Sequence, residues 1–90
     1  MLSGMVPPSL HALTKLVNLD LSNNYLSGTI PNYFELFSDL REIYLSDNLL
    51  NGTIPSSIGK MDKLNELKLH HNMLTGSIPE QICGLSLSLL

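Results

Sequence analysis

Three segments of this 90-residue chain, beginning at Leu16, Leu40 and Leu64, superimpose at an offset of 24 residues with no gap. Leu21, Leu45 and Leu69 align, as do Asn24, Asn48 and Asn72, then Leu26, Leu50 and Leu74, then Gly28, Gly52 and Gly76. Ile30-Pro31, Ile54-Pro55 and Ile78-Pro79 close each copy, and a partial copy (Leu2, Gly4, Val6, Pro7) precedes them. A fixed period of this size marks a repeat architecture, in which each unit buries its apolar face only against its neighbours. The chain is read as one solenoid segment: a partial repeat at 1–15, full repeats at 16–39, 40–63 and 64–87, and an irregular end at 88–90. The end is irregular because the period asks for leucine at 88, where Ser88 stands between Leu87 and Leu89.

Within a repeat, the alternation around Ile43, Tyr44 and Leu45 predicts a short strand with one face buried. Leu19-Asp20-Leu21 and Leu67-Lys68-Leu69 repeat it. Copies that run in the same direction stack their strands in parallel, and the rest of each repeat supplies the crossover. Asn24, Asn48 and Asn72 follow the strands at a constant distance, which predicts an inward ladder of side-chain amides satisfying backbone groups at the turn. The glycine after Ser27, Asn51 and Thr75 predicts positive φ or close backbone approach. Ile-Pro then opens a short helical or 3₁₀ return. Two columns, Leu10/Phe34/Ile58/Ile82 and Leu13/Phe37/Met61/Leu85, are expected to line the core beneath it.

Composition narrows the function. The net charge is −3 with only five Lys or Arg, and no basic stripe exists, which argues against nucleic-acid binding. No apolar run approaches the roughly 18 residues of a membrane span, and the N-terminus has neither the charged region nor the apolar stretch of a signal peptide. The single cysteine, Cys83, cannot form an internal disulfide; beside Gly84 it reads as a small half-buried residue. No cofactor is expected, nor an enzyme. Asp20, Glu42 and Glu66 lie on an open surface with nothing to raise one carboxyl, and no nucleophile or phosphate loop is present.

The text LVNLDLSNNYLSGTIPNYFELF, LREIYLSDNLLNGTIPSSIGKM and LNELKLHHNMLTGSIPEQICGL resembles the plant-type leucine-rich repeat. The LxGxIP element, present three times in register, separates that class from other leucine-rich repeats. The resemblance implies an α/β fold: a right-handed solenoid, a horseshoe segment with a concave parallel sheet and short convex 3₁₀ or helical turns. It also implies a second short strand around Leu26 to Ile30. It further implies an ectodomain fragment of a plant receptor-like protein or receptor-like kinase. Such a parent sits at the plasma membrane, facing outward, where the solenoid binds a peptide, protein ligand or co-receptor. The alternatives are a secreted inhibitor of polygalacturonases or a truncated product without activity. Family ectodomains carry cysteine-pair caps, which this chain lacks.

Strand alternation places the variable polar positions on the concave face in three columns: Asn18/Glu42/Glu66, Asp20/Tyr44/Lys68 and Ser22/Ser46/His70. These nine are the candidate ligand-binding residues, with Asn23, Asp47 and His71 at the strand's end. Tyr44 is the candidate anchor, against the plainer reading of a tyrosine packed on its cross-strand neighbours. A stable interface takes roughly 800 Å² and 20–30 residues per partner, so these positions alone suit a short peptide, and a large partner needs neighbouring repeats. Asn51-Gly52-Thr53 is an N-glycosylation sequon that coincides with the repeat's own turn. His70 and His71 are expected to point opposite ways as strand neighbours, and no metal site is expected.

Leu2, Val6 and Leu10 at one end, and Leu85, Leu87, Leu89 and Leu90 at the other, lack the polar caps that solenoid ends require. The isolated chain is therefore expected to be marginally stable or to self-associate through its ends. Sedimentation and calorimetry test this; a monomer with a sharp two-state melt contradicts it.

Overall fold

The computed structural model describes residues 3–6, 12–76 and 86–88. Among the described residues, each repeat contributes short strands to two parallel sheets. The first sheet consists of β2 (Asn18–Asp20), β4 (Glu42–Tyr44), β6 (Glu66–Lys68) and β8 (Ser86–Ser88), in that order. The second consists of β1 (Ser3–Met5), β3 (Tyr25–Thr29), β5 (Leu49–Gly52) and β7 (Met73–Leu74). All pairings are parallel, as a same-direction repeat requires. Two 3₁₀ turns, Asn32–Leu36 and Ser56–Lys60, each follow an extended proline, Pro31 or Pro55. Proline's fixed φ and missing N–H suit that entry.

The registers refine the 24-residue period. In the first sheet Asn18 pairs with Glu42 and Glu42 with Glu66, one full period apart. In the second, Ser27 pairs with Leu49 and Asn51 with Met73, two residues short of it. A slip of two keeps the same side chains inward, because strand side chains alternate with period 2. Glu66 pairs with Ser86, four residues short of the period. The first sheet thus continues through Ser88, into the end that the leucine spacing marks as irregular. In this register Leu87 pairs with Leu67, so the leucine falls four positions ahead of the place the period assigns it.

The core is a stack of equivalent positions. Leu26 and Leu50 have no exposed surface, nor do Phe34, Ile43, Leu45 and Leu67. Phe34 and Phe37 lie 6.0 Å apart between ring centroids, and Tyr33 meets both edge-on. Ile58 and Met61 repeat these two positions one turn on, also buried. The two expected core columns therefore hold in the middle repeats. Leu13 departs from its column: it is 51% exposed, because it belongs to the partial first repeat. Leu10, Ile82 and Leu85 lie outside the described residues. Leu16 and Leu21 are partly buried while their equivalents Leu40, Leu45 and Leu69 are buried, as a neighbour-dependent core predicts.

The asparagine ladder is present. Asn48 is 5% exposed. Its Oδ1 accepts the Leu26 N–H at 3.0 Å, and its Nδ2 donates to the carbonyl of Leu21 at 2.9 Å, both in the preceding repeat. The same Nδ2 lies 3.2 Å from the carbonyls of Leu45 and Ser46 in its own repeat. Asn72 repeats this pattern with Leu50 N–H, Leu45 O, Leu69 O and His70 O. Asn24 donates to Leu21 O and Ser22 O. Only a group with a donor and an acceptor at fixed separation does both jobs, which is why the residue is an amide and not a carboxylate.

Gly52 and Gly76 show why the turn repeats glycine. Their φ values are +79° and +80°, and an added Cβ would meet Thr29 Cγ2 at 3.0 Å and Thr53 Cγ2 at 2.8 Å. Positive φ and close approach both hold.

Asn48→Ala leaves the Leu26 N–H and the inter-repeat carbonyl of Leu21 without this partner, and is expected to cost about 2–4 kcal/mol. Asn65→Ala, at an exposed position off the ladder, is expected to stay within about 0.5 kcal/mol. Chemical denaturation of both variants checks the contrast.

Candidate functional site

The outer face of the first sheet carries the columns read from the sequence. Registers place Asn18 beside Glu42 and Glu42 beside Glu66, then Asp20 beside Tyr44 and Tyr44 beside Lys68. Ser22, Ser46 and His70 follow two residues beyond each strand's last position.

Side chains link the first two columns into one network. Asn18 Nδ2 donates to Glu42 Oε1 at 2.9 Å. The Tyr44 hydroxyl lies 2.7 Å from Glu42 Oε2 and in short contact with Glu66 Oε1. A phenol has one hydrogen, so Tyr44 donates to one carboxylate at a time and bridges the pair. Lys68 Nζ stands 5.0 Å from the centroid of the Tyr44 ring, within cation–π range. The hydrogen bond to Glu66, then that to Glu42, raises the Tyr44 phenol well above its ordinary range, since both hold its proton. Tyr44 is thus half-buried and tied to its cross-strand neighbours, the plainer of the two sequence readings.

Asp20 serves its own turn. Its Oδ1 accepts the Ser22 hydroxyl at 2.6 Å and the Ser22 N–H at 3.0 Å. These bonds favour the carboxylate and lower its pKa below the ordinary aspartate value. Ser46, expected at the surface, is 6% exposed, so it offers little to a partner. It lies between the stacked Ser22 and His70 positions, where a small side chain is covered from both sides.

The strand's end departs from simple alternation. Asn23, Asp47 and His71 occupy the left-handed region at φ values of 59°, 58° and 59°. Asn, Asp and His are the non-glycine residues enriched there. The left-handed turn returns His71 towards His70, and their rings meet edge-on at 5.0 Å between centroids. His71 Nδ1 lies 2.7 Å from Asp47 Oδ1 in the preceding repeat. Strand alternation separates the two histidines; the structure joins them, because β6 ends at Lys68 and neither is a strand residue. The repeated positive φ was not legible from Asn, Asp and His at one column without the backbone.

A cavity of about 150 Å³ lies under the 3₁₀ turns, lined by Phe37, Leu40 and Met61 among others. It is well away from the strand face and below the roughly 300 Å³ at which small-molecule sites begin. Among the described residues, no helix is long and apolar enough to cross a membrane.

The family models for "Leucine rich repeat" and "Leucine Rich Repeat" match residues 38–90 and 15–37 respectively. The chain belongs to the leucine-rich repeat family. No curated protein sequence matches it. Among solved structures, this leucine-rich repeat segment is similar to the PEPR1–AtPEP1 complex, with a TM-score of 0.91 and 42% identity over 98% of this chain and 13% of that one. It is similar to the Arabidopsis receptor kinase HAESA, solved with the peptide hormone IDA and the co-receptor SERK1. There the TM-score is 0.86 and the identity 41%, over 94% of this chain and 14% of that one. The ectodomain of the Arabidopsis thaliana receptor kinase SOBIR1 gives a TM-score of 0.88 and 32% identity, over 99% of this chain and 50% of that one. The repeats are thus of the plant receptor class, and the segment spans well under two thirds of each of these chains.

A phenol held protonated by its neighbours contributes stability that is complete below its unfolded pKa of about 10 and is lost as pH rises towards its raised folded value. Wild type is therefore expected to lose stability above about pH 10 more steeply than Tyr44→Phe. Denaturant midpoints from pH 8 to 11 check it, and parallel curves contradict it.

Proposed function

We propose that this segment is part of the ligand-reading solenoid of a plant cell-surface receptor, and that a peptide or a co-receptor lies along the outer face of the first sheet. One observation carries the reading. Positions with the same backbone register differ in charge and size, as Asp20, Tyr44 and Lys68 do, while the aliphatic residues beside them, Leu19, Ile43 and Leu67, are all buried. The solved relatives support it, since HAESA was solved with a peptide hormone and a co-receptor, and PEPR1 with AtPEP1.

The chemistry of the face selects the partner. Glu42 and Glu66 flank one hydroxyl and Asp20 lies on the adjoining strand, with Lys68 set over the tyrosine ring. An extended peptide with a Lys or Arg side chain over the Glu42–Tyr44–Glu66 group gains a charge-assisted contact there. The parent protein then lies in the plasma membrane with this face outside the cell. In that setting Asn51 is a glycan acceptor: Asn51, in β5 of the second sheet, and Thr53, just past that strand, are both exposed.

Surface plasmon resonance on the immobilised chain, with matched extended peptides that differ only in one Lys, tests the reading. The Glu42→Gln/Glu66→Gln double variant is expected to weaken the lysine-bearing peptide about tenfold, the worth of one charged hydrogen bond. Asp62→Asn, beside the cavity under the turns, is expected to leave binding unchanged. Equal effects of the two variants contradict the assignment of the face. Produced through a secretory pathway, the chain is expected to lose mass on glycosidase treatment, and Thr53→Ala to abolish that loss.

A further inference from the structure

The geometry points to a binding site for a first-row divalent transition metal at the end of the first sheet, formed by Asp47, His70 and His71. One ligand atom from each side chain lies within 4.8 Å of the other two. Two imidazoles and one carboxylate are the donors that zinc and its neighbours prefer, whereas magnesium and calcium take oxygen. Three protein ligands with an open fourth position match the arrangement of metal sites that also take a water or a donor from outside.

The backbone holds these donors in place. Asp47 and His71 are equivalent residues of consecutive repeats, both left-handed, so their side chains leave the turn in the same direction. The Asp47 N–H donates to the His70 carbonyl at 3.0 Å, which fixes the two turns against each other. Asn48 and Asn72, next in sequence to Asp47 and His71, are the ladder residues. The site therefore sits directly on two rungs of the ladder.

The closing movement is small. Tetrahedral bonds of about 2.0–2.2 Å separate ligand atoms by about 3.3–3.5 Å. The Asp47–His71 pair, at 2.7 Å, has to open slightly, and His70 has to approach. His71 is exposed, and Asp47 and His70 are only partly buried, so side-chain torsions suffice. The metal enters between Asp47 Oδ1 and His71 Nδ1; a neutral ring then carries its N–H on Nε2, and an imidazolium ring releases one proton to solvent.

The site is specific to this pair of repeats. Asn23 and Ser22 stand two repeats earlier where His71 and His70 stand here, and Asp47 and Ser46 stand in the repeat between. Those residues also supply the test variants, because each is already accommodated at its own copy of the position. His71→Asn keeps a residue that tolerates positive φ, His70→Ser copies Ser46, and Asp47→Asn copies Asn23.

Cobalt(II) titration of the full chain, followed by its visible absorption and by displacement with zinc, reads the site directly. One metal per chain is expected, with the absorption of a four-coordinate ion. Each of His70→Ser, His71→Asn and Asp47→Asn is expected to weaken binding at least tenfold. His11→Ala and Cys83→Ser, which remove the other histidine and the cysteine, are expected to leave it unchanged. Far-ultraviolet circular dichroism confirms that the variants keep their fold, and proton–nitrogen spectra of the wild-type histidines locate the metal without any variant. Absence of binding, one metal per two chains, loss of binding with His11→Ala or Cys83→Ser, or shifts at His11 alone would overturn the site.

Discussion

The structure depends on one amide per repeat. Asn48 accepts an N–H from the second strand of the repeat before it and donates to a carbonyl at the end of that repeat's first strand. The two sheets are thereby tied to each other and each repeat to its neighbour by a single buried side chain. Parallel strands of two to five residues carry few ladder bonds of their own. An unmade bond in a buried turn costs as much as several surface contacts contribute. The leucines supply the apolar burial, and the asparagine fixes where each repeat sits on the last.

A rigid and uniform frame is what makes the outer face readable. Because Asp20, Tyr44 and Lys68 share a register, they differ only in chemistry, not in position. Asn18, Glu42, Tyr44, Glu66 and Lys68 then form a network that spans two repeat boundaries. The same regularity brings Asp47 of one repeat against His71 of the next, 24 positions on. Inter-repeat contacts elsewhere follow the period too, as with the exposed pair of Lys63 and Asp39, which solvent screens.

Much of this was legible before any coordinates. The 24-residue period, the ladder of Asn24, Asn48 and Asn72, the positive-φ glycines and the buried pair of Phe34 and Phe37 all follow from residue type and spacing. What was not legible depended on where a strand stops. Alternation holds only inside a strand, and β6 ends two residues before His70. The left-handed turn after it reverses the expected direction of His71. Ser46 was placed at the surface by the same extension of alternation past Tyr44, and it is buried. Leu13 failed differently, because periodicity assumes a neighbour on each side and the first repeat is partial. Partners with hydroxyls and carboxylates in neighbouring repeats, such as Tyr44 with Glu66, require the register of the sheet, which the period supplies, and the rotamers, which it does not.

Native-state amide hydrogen exchange tests the central role of the ladder most directly. The Leu26 and Leu50 N–H groups each donate to an asparagine side-chain oxygen, Asn48 Oδ1 and Asn72 Oδ1 respectively. The account predicts that both exchange as slowly as the Leu45 amide, which is bonded to a backbone carbonyl in the adjoining repeat. Exchange of Leu26 and Leu50 at the rate of the exposed turns, with Leu45 still protected, would show that the sheet holds the repeats together without the asparagines.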